Sequence, residues 1–195
     1  MRVYLVHCHP MGDSFVAAVR DRAVAALEGA GHEVRVTDLY AEGFRPELST
    51  DEHVNHLADP STKPEITPYA DLLRWCEALV LVYPTWWSGQ PAMLKGWIDR
   101  VWVRGVAYEL PEGANRIRPA LTNIRRIVAV TTHGSSKWVN AVEGETGKRI
   151  VTRALRILCH PLARSRWIAL YSIDRCDAAG REAFLRRVER RLARL

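Results

Sequence analysis

Short runs of apolar, mostly β-branched residues alternate along this chain with stretches whose apolar positions recur every three or four residues. The runs Arg2–Val6, Glu33–Leu39, Ala78–Tyr83, Arg126–Thr131 and Arg166–Tyr171 read as five strands. Ala78–Tyr83 is almost wholly apolar, as expected of a strand covered on both faces. The periodic stretches predict helices from Ser14 to about Gly29, from Pro91 to about Val101 and from Lys148 to about Leu158. Gly31 breaks the first, and Pro91 stands where its missing N–H costs nothing. Phe184, Leu185, Val188 and Leu192 recur at helical spacing in a last, arginine-rich helix. Strands alternating with helices predict an α/β fold, a single domain over residues 1–195. Its five-stranded parallel sheet has the order 2-1-3-4-5 and helices on both faces.

In such sheets ligands bind beyond the carboxyl ends of the strands, where the strand order reverses. Three loops lie there. The first, His9-Pro10-Met11-Gly12-Asp13-Ser14-Phe15, opens a helix whose free N–H groups suit a phosphate. Ser14 can donate its hydroxyl there or merely cap the helix, and His9 can add a donor. No G-x-G-x-x-G or P-loop pattern is present. The second loop, Pro84-Thr85-Trp86-Trp87-Ser88-Gly89-Gln90-Pro91, sets two tryptophans between two prolines, which suits a flat ring ligand. The third, Thr131-Thr132-His133-Gly134-Ser135-Ser136-Lys137-Trp138, can present several backbone N–H groups to one acceptor, with His133 as a candidate proton donor.

Composition narrows the partners. Apolar residues make up 48% and charged residues 26% of 195 positions, which excludes disorder, collagen and coiled coil. No apolar run is long enough to cross a bilayer, and the amino terminus lacks a signal-peptide core. Cys8, Cys76, Cys159 and Cys176 stand far apart, which points to a reducing, cytoplasmic setting and to no bound metal. His53 and His56 at i, i+3 have no further ligand nearby. Net charge is +6, and six arginines against two glutamates fall in Ala178–Leu195. Without an aromatic or glycine-rich recognition motif, this is a solvated helix face and not a nucleic-acid site.

The sequence resembles the flavodoxin-like NAD(P)H:quinone oxidoreductases of the DT-diaphorase type, over nearly its whole length. His9, Ser14 and Phe15 match the first-loop pattern H-x-x-x-x-S-F, and Asp38–Pro46 is similar to the exit of the second strand. Pro84-Thr85-Trp86-Trp87-Ser88-Gly89-Gln90-Pro91-Ala92-Met93-Leu94-Lys95-Gly96-Trp97 resembles P-x-x-W-x-G-x-P-A-x-L-K-G-W without a gap. The resemblance implies a non-covalent flavin, FAD or FMN, and NAD(P)H as co-substrate. It implies that His9, Ser14 and Phe15 hold the phosphate. Pro84, Thr85, Trp86, Trp87 and Ser88 would lie beside the ring, and Thr131, Thr132, His133 and Gly134 at its pyrimidine end. Gly105–Tyr108 is similar to the segment whose aromatic residue reaches the partner subunit's pocket. This implies a homodimer and adds Tyr108 to His133 as a catalytic candidate. The acceptor would be a quinone or another flat aromatic compound, reduced by a ping-pong sequence. The family also contains ancillary subunits of potassium-efflux systems, so a flavin-binding regulatory subunit with a peripheral membrane partner is the alternative. A receiver domain is excluded because Pro84 stands where it needs an acid.

Overall fold

The computed structural model describes residues 1–55, 64–113 and 115–195. Five parallel strands form one sheet: β1 (Arg2–His7), β2 (Glu33–Asp38), β3 (Ala78–Pro84), β6 (Arg126–Thr132) and β7 (Arg164–Leu170), in the order β2-β1-β3-β6-β7. These are the five strands expected, in the expected order. The three inner strands are buried almost throughout, whereas β2 and β7 are partly exposed and carry Arg35, Arg164 and Arg166. Charges on the outermost strands discourage edge-to-edge association. A two-stranded hairpin, β4 (Tyr108–Glu109) with β5 (Arg118–Pro119), stands apart from the sheet.

The faces are covered separately. Helices α1 (Phe15–Gly29) and α7 (Ala178–Leu192) pack Val19, Leu27, Phe184 and Val188 onto Leu5, Val80 and Val130. The other face receives α3 (Thr67–Trp75) and α4 (Ala92–Val101), through Leu73, Leu94 and Trp97 against Tyr4, Leu81 and Tyr83. Each such fully buried side chain contributes about 1.5–3 kcal/mol. Four cysteines are free thiols. Cys8, Cys76 and Cys159 are buried in the second of these layers.

Two features differ from the sequence expectation. The helix expected over Lys148–Leu158 is not one regular helix. It begins as α6 (Thr146–Arg149), widens into a π-helix over Ile150–Leu155 and tightens into a 3₁₀ turn over Arg156–Leu158. The Thr152 hydroxyl donates to the Lys148 carbonyl at 2.8 Å, competing with the backbone ladder at this point. Four helices or parts of helices also lie where no element was expected: α2 (Thr50–Val54), α3, α5 (Lys137–Val142) and the opening of α6. Of the histidine pair weighed above, His53 lies in α2 and His56 falls outside the described residues.

Candidate active site

All three predicted loops leave the carboxyl ends of β1, β3 and β6, and the last two share one cleft. It encloses about 460 Å³ between Pro84, Thr85, Trp86 and Trp87 on one side and Thr132, Gly134, Ile173 and Asp174 on the other. A smaller recess of about 230 Å³ continues past Ser88, His133 and Asn140.

The second loop is a tight turn. The Trp86 N–H donates to the Gly89 carbonyl at 3.2 Å, and the Gly89 N–H returns the bond at 3.0 Å. Trp87 and Ser88 between them have φ of 48° and 60°, the left-handed region that a type I′ turn requires and that side chains disfavour. The turn is held from outside. Ser88 oxygen accepts from the Gly147 N–H at 2.9 Å and from the Thr146 hydroxyl at 2.6 Å, and the Ser88 hydroxyl bonds to Glu143. Gln90 donates to the Gly147 carbonyl and the Tyr83 hydroxyl. This scaffold leaves the Trp87 side chain wholly exposed, at 102% of its reference area.

The third loop is buried where it meets the sheet. Thr131, Thr132 and His133 are buried, and the Thr85 hydroxyl lies 2.9 Å from that of Thr131 and 3.3 Å from His133 Nε2. The His133 ring stacks on Tyr171 at 4.6 Å and meets the edge of Trp167. Burial holds the His133 imidazole below its ordinary pKa, against the opposing pull of Asn140, Glu143 and Glu145, so the ring is neutral at pH 7. The His133 backbone N–H donates to the Leu170 carbonyl at 2.8 Å, whereas the amides of Gly134 and Ser135 make no hydrogen bond within the described chain. A Cβ at Gly134 would stand 2.9 Å from Asp174 Oδ2, so a side chain there would require the Asp174 carboxylate to shift.

The first loop is quieter. Ser14 accepts from the Ala17 N–H at 3.1 Å and so caps α1, while His9 Nδ1 accepts from the Met11 N–H at 3.0 Å. Phe15 packs against Phe184 beneath the guanidinium of Arg181. His9 approaches Trp86, with ring centroids 6.4 Å apart, which links this loop to the second. Tyr108 is not brought to the cleft within one chain. It lines a separate 220 Å³ recess with Leu48, Asp99 and Trp102.

Sequence reasoning missed Ile173 and Asp174, which leave β7 beside the third loop, Asn140 of α5 and Glu143 at its end. The carboxyl-end rule, applied to the last strand as well, points to the first pair. Asn140 is a buried polar residue whose amide donates to Ser135 Oγ and to the Ser136 carbonyl, both at 2.8 Å. Its signal is a cap-forming serine four residues before it.

A family model described as a flavodoxin-like fold matches residues 1–165. The chain is 31% identical over 150 residues to NAD(P)H dehydrogenase [quinone] 1 of Cavia porcellus, covering 69% of this chain and 54% of that protein. It is 29% identical over 162 residues to a ribosyldihydronicotinamide dehydrogenase-like protein of Penicillium crustosum, covering 72% and 61% respectively. The chain thus spans between half and two thirds of the length of these curated relatives. Among solved structures, an NAD(P)H:quinone oxidoreductase from Methanothermobacter marburgensis superposes with a TM-score of 0.81 at 28% identity, over 99% of this chain and 96% of that one.

Proposed function

The chain belongs to the flavodoxin-like family that these oxidoreductases share, and from that premise we propose that it is a flavin-dependent NAD(P)H:quinone oxidoreductase. The observation that carries the reading is the cleft between the second and third loops. It is edged by the Trp86–Gly89 turn, and the Gly134 and Ser135 amides beside it and its adjoining recess are unpaired among the described residues. A flavin ring fits these residues. Its apolar faces would lie along Pro84 and Trp86, its acceptor edge would meet the Gly134 and Ser135 amides, and its phosphate would lie at the start of α1 near His9 and Ser14. Both FAD and FMN are compatible with this arrangement.

A bound flavin supplies the capacity to take up and release a hydride. The chain binds and orients it. The Gly134 and Ser135 N–H groups stabilise negative charge at the ring edge, as in an oxyanion hole. Neutral His133, linked through the Thr85 hydroxyl to Thr131, holds a proton beside the cleft. Trp87 offers a ring surface to the nicotinamide of NAD(P)H and then to a quinone or similar flat acceptor. One shared face means that the first product leaves before the acceptor enters. We read the working unit as a cytoplasmic homodimer of single-domain chains, with Tyr108 contributed to the neighbouring cleft.

The decisive experiment purifies the protein, identifies any released flavin by mass, and measures NAD(P)H oxidation by a simple quinone. Parallel initial-rate lines at fixed quinone levels are expected. A protein that binds neither FMN nor FAD overturns the enzyme reading. Retained flavin with no turnover favours the ancillary-subunit alternative.

A further inference from the structure

The outer edge of the sheet carries a groove of about 490 Å³ that lies outside the cleft described above. Its floor is β7 from Arg166 to Ala169. One wall is α7 with Arg187 and Arg191, and the other comes from α5 and α6 with Lys137 and Lys148. Five cations line it against a single carboxylate, Glu145, and Glu145 is already paired with Lys148 at 2.7 Å. Among the described residues, no carboxylate pairs with Lys137, Arg166, Arg187 or Arg191.

Two of the guanidinium groups are nevertheless anchored. Arg187 donates to the Ala169 carbonyl and lies 4.9 Å over the Phe184 ring. Arg166 donates to the carbonyls of Arg191 and Arg194 at 3.1 and 3.5 Å. Neutral acceptors thus set the geometry while the charges remain uncompensated. Burial, and then the neighbouring Arg191, lower the Arg187 pKa. Like charges gathered along one groove, two of them anchored and with spare N–H donors, match an anion with more than one charged group.

We propose that this groove binds a small molecule bearing two or more phosphate groups, held by Arg187, Arg191, Arg166 and Lys137. An added peptide strand fits less well, because Arg187 occupies an edge carbonyl that such a strand needs. A second copy of the chain would set one basic edge against another. The proposal does not rest on the flavin reading, since none of these four cations lines the cleft, although Lys137 closes its third loop.

The test is calorimetric titration of the whole protein at low ionic strength with pyrophosphate, ATP and 2′,5′-ADP. Binding is expected for at least one of them. The Arg187→Ala/Arg191→Ala variant should weaken it about tenfold or more, whereas Arg35→Ala at the far edge should not. Arg191→Glu, an exposed charge reversal, serves as a second variant should loss of Arg187 disturb the strand edge. Saturable binding abolished by Arg191→Glu supports the site. No binding of any probe, or equal weakening by the far-edge variant, overturns it, as does binding confined to RNA or an acidic peptide. The source of the phosphates is read separately. If they belong to the co-substrate, Arg191→Glu raises KM for NADPH and, through the diphosphate the two share, for NADH. If they belong to a free nucleotide, both constants stay unchanged.

Discussion

Two loops leave the same edge of the sheet on either side of β1, and the molecule treats them oppositely. The loop after β2 is locked down. Phe44 is buried, edge-on to Tyr69 at 5.2 Å, and Arg100 lies over its ring. Arg100 is 4% exposed and bonds to Glu52, to Glu65 and to the Arg45 carbonyl. Pro46 presses on α4 at Gly96, where a Cβ would stand 2.3 Å from the Pro46 oxygen. The loop after β3 is held open instead, with two positive φ angles and a tryptophan in solvent. The motif that carries the family resemblance therefore has two tasks. Pro84–Ser88 face the cleft and its adjoining recess, whereas Gly96 packs against Pro46 of the neighbouring loop.

The largest expected effect lies on the locked side. Gly96→Ala must displace backbone, and should destabilise the fold by about 3 kcal/mol, lowering Tm by roughly 6–12 °C. Differential scanning calorimetry checks this, and a parent-like Tm would show that the Pro46 contact yields freely. Flavin affinity of the folded variant should not change.

Acidification reaches both sides at once. His7 on the locked side and His133 on the open side are both held below the ordinary histidine pKa by burial. The unfolded chain therefore binds protons that the folded chain refuses. The stability this gives is complete above the unfolded value of roughly 6.5 and declines as pH falls through it. Asp38 acts lower still. Burial would raise its pKa, but the Ala41 N–H, His7 and Arg20 outweigh it and lower the value, so its contribution is lost only at more acid pH. Tm measured from about pH 7.5 down to about pH 5.5 should fall. In His133→Asn the fall should be shallower, and a flat profile in the parent would sink the assignment of both rings.

The smallest effect separates the loops most sharply. Trp87→Gly relieves a positive φ and should stabilise the fold by about 0.5–1 kcal/mol, after the extra freedom of glycine in the unfolded chain is deducted. Quinone turnover should slow in the same variant. A less stable Trp87→Gly protein would mean that the indole is a packing element and not an exposed ring surface.

The five strands are legible in the chain because each is a short apolar run closed by a turn residue. Their order follows from the alternation with helices. The site is legible as far as strand exits go, since Thr85, Trp86, Thr132 and Gly134 do converge on one cleft. Helix α3 is less visible locally, yet the parallel pairing of β1 with β2 and β3 demands a crossover between residues 39 and 78. Pro68 in its first turn and buried Ala70 and Leu73 are its trace. Two things have no local signature. The burial of His133 depends on Tyr171 and Trp167 from β7 and its exit, far along the chain, and the left-handed turn at Trp87 is imposed by Thr146 and Gly147. Residues that read as ordinary in isolation acquire their roles from partners some 35 to 60 positions away.

The three buried cysteines matter for an enzyme of this reading. Quinones are soft electrophiles that add to thiolates, so a catalyst that handles them is exposed to alkylation by its own substrate. Burial raises Cys8, Cys76 and Cys159 to a pKa of about 12, some five units above neutral pH. About one such thiol in 10⁵ is then ionised at any moment, and each lies behind a packed layer of side chains. The fold thus shelters three of its thiols from such electrophiles, and leaves only Cys176, partly exposed just before α7, within their reach.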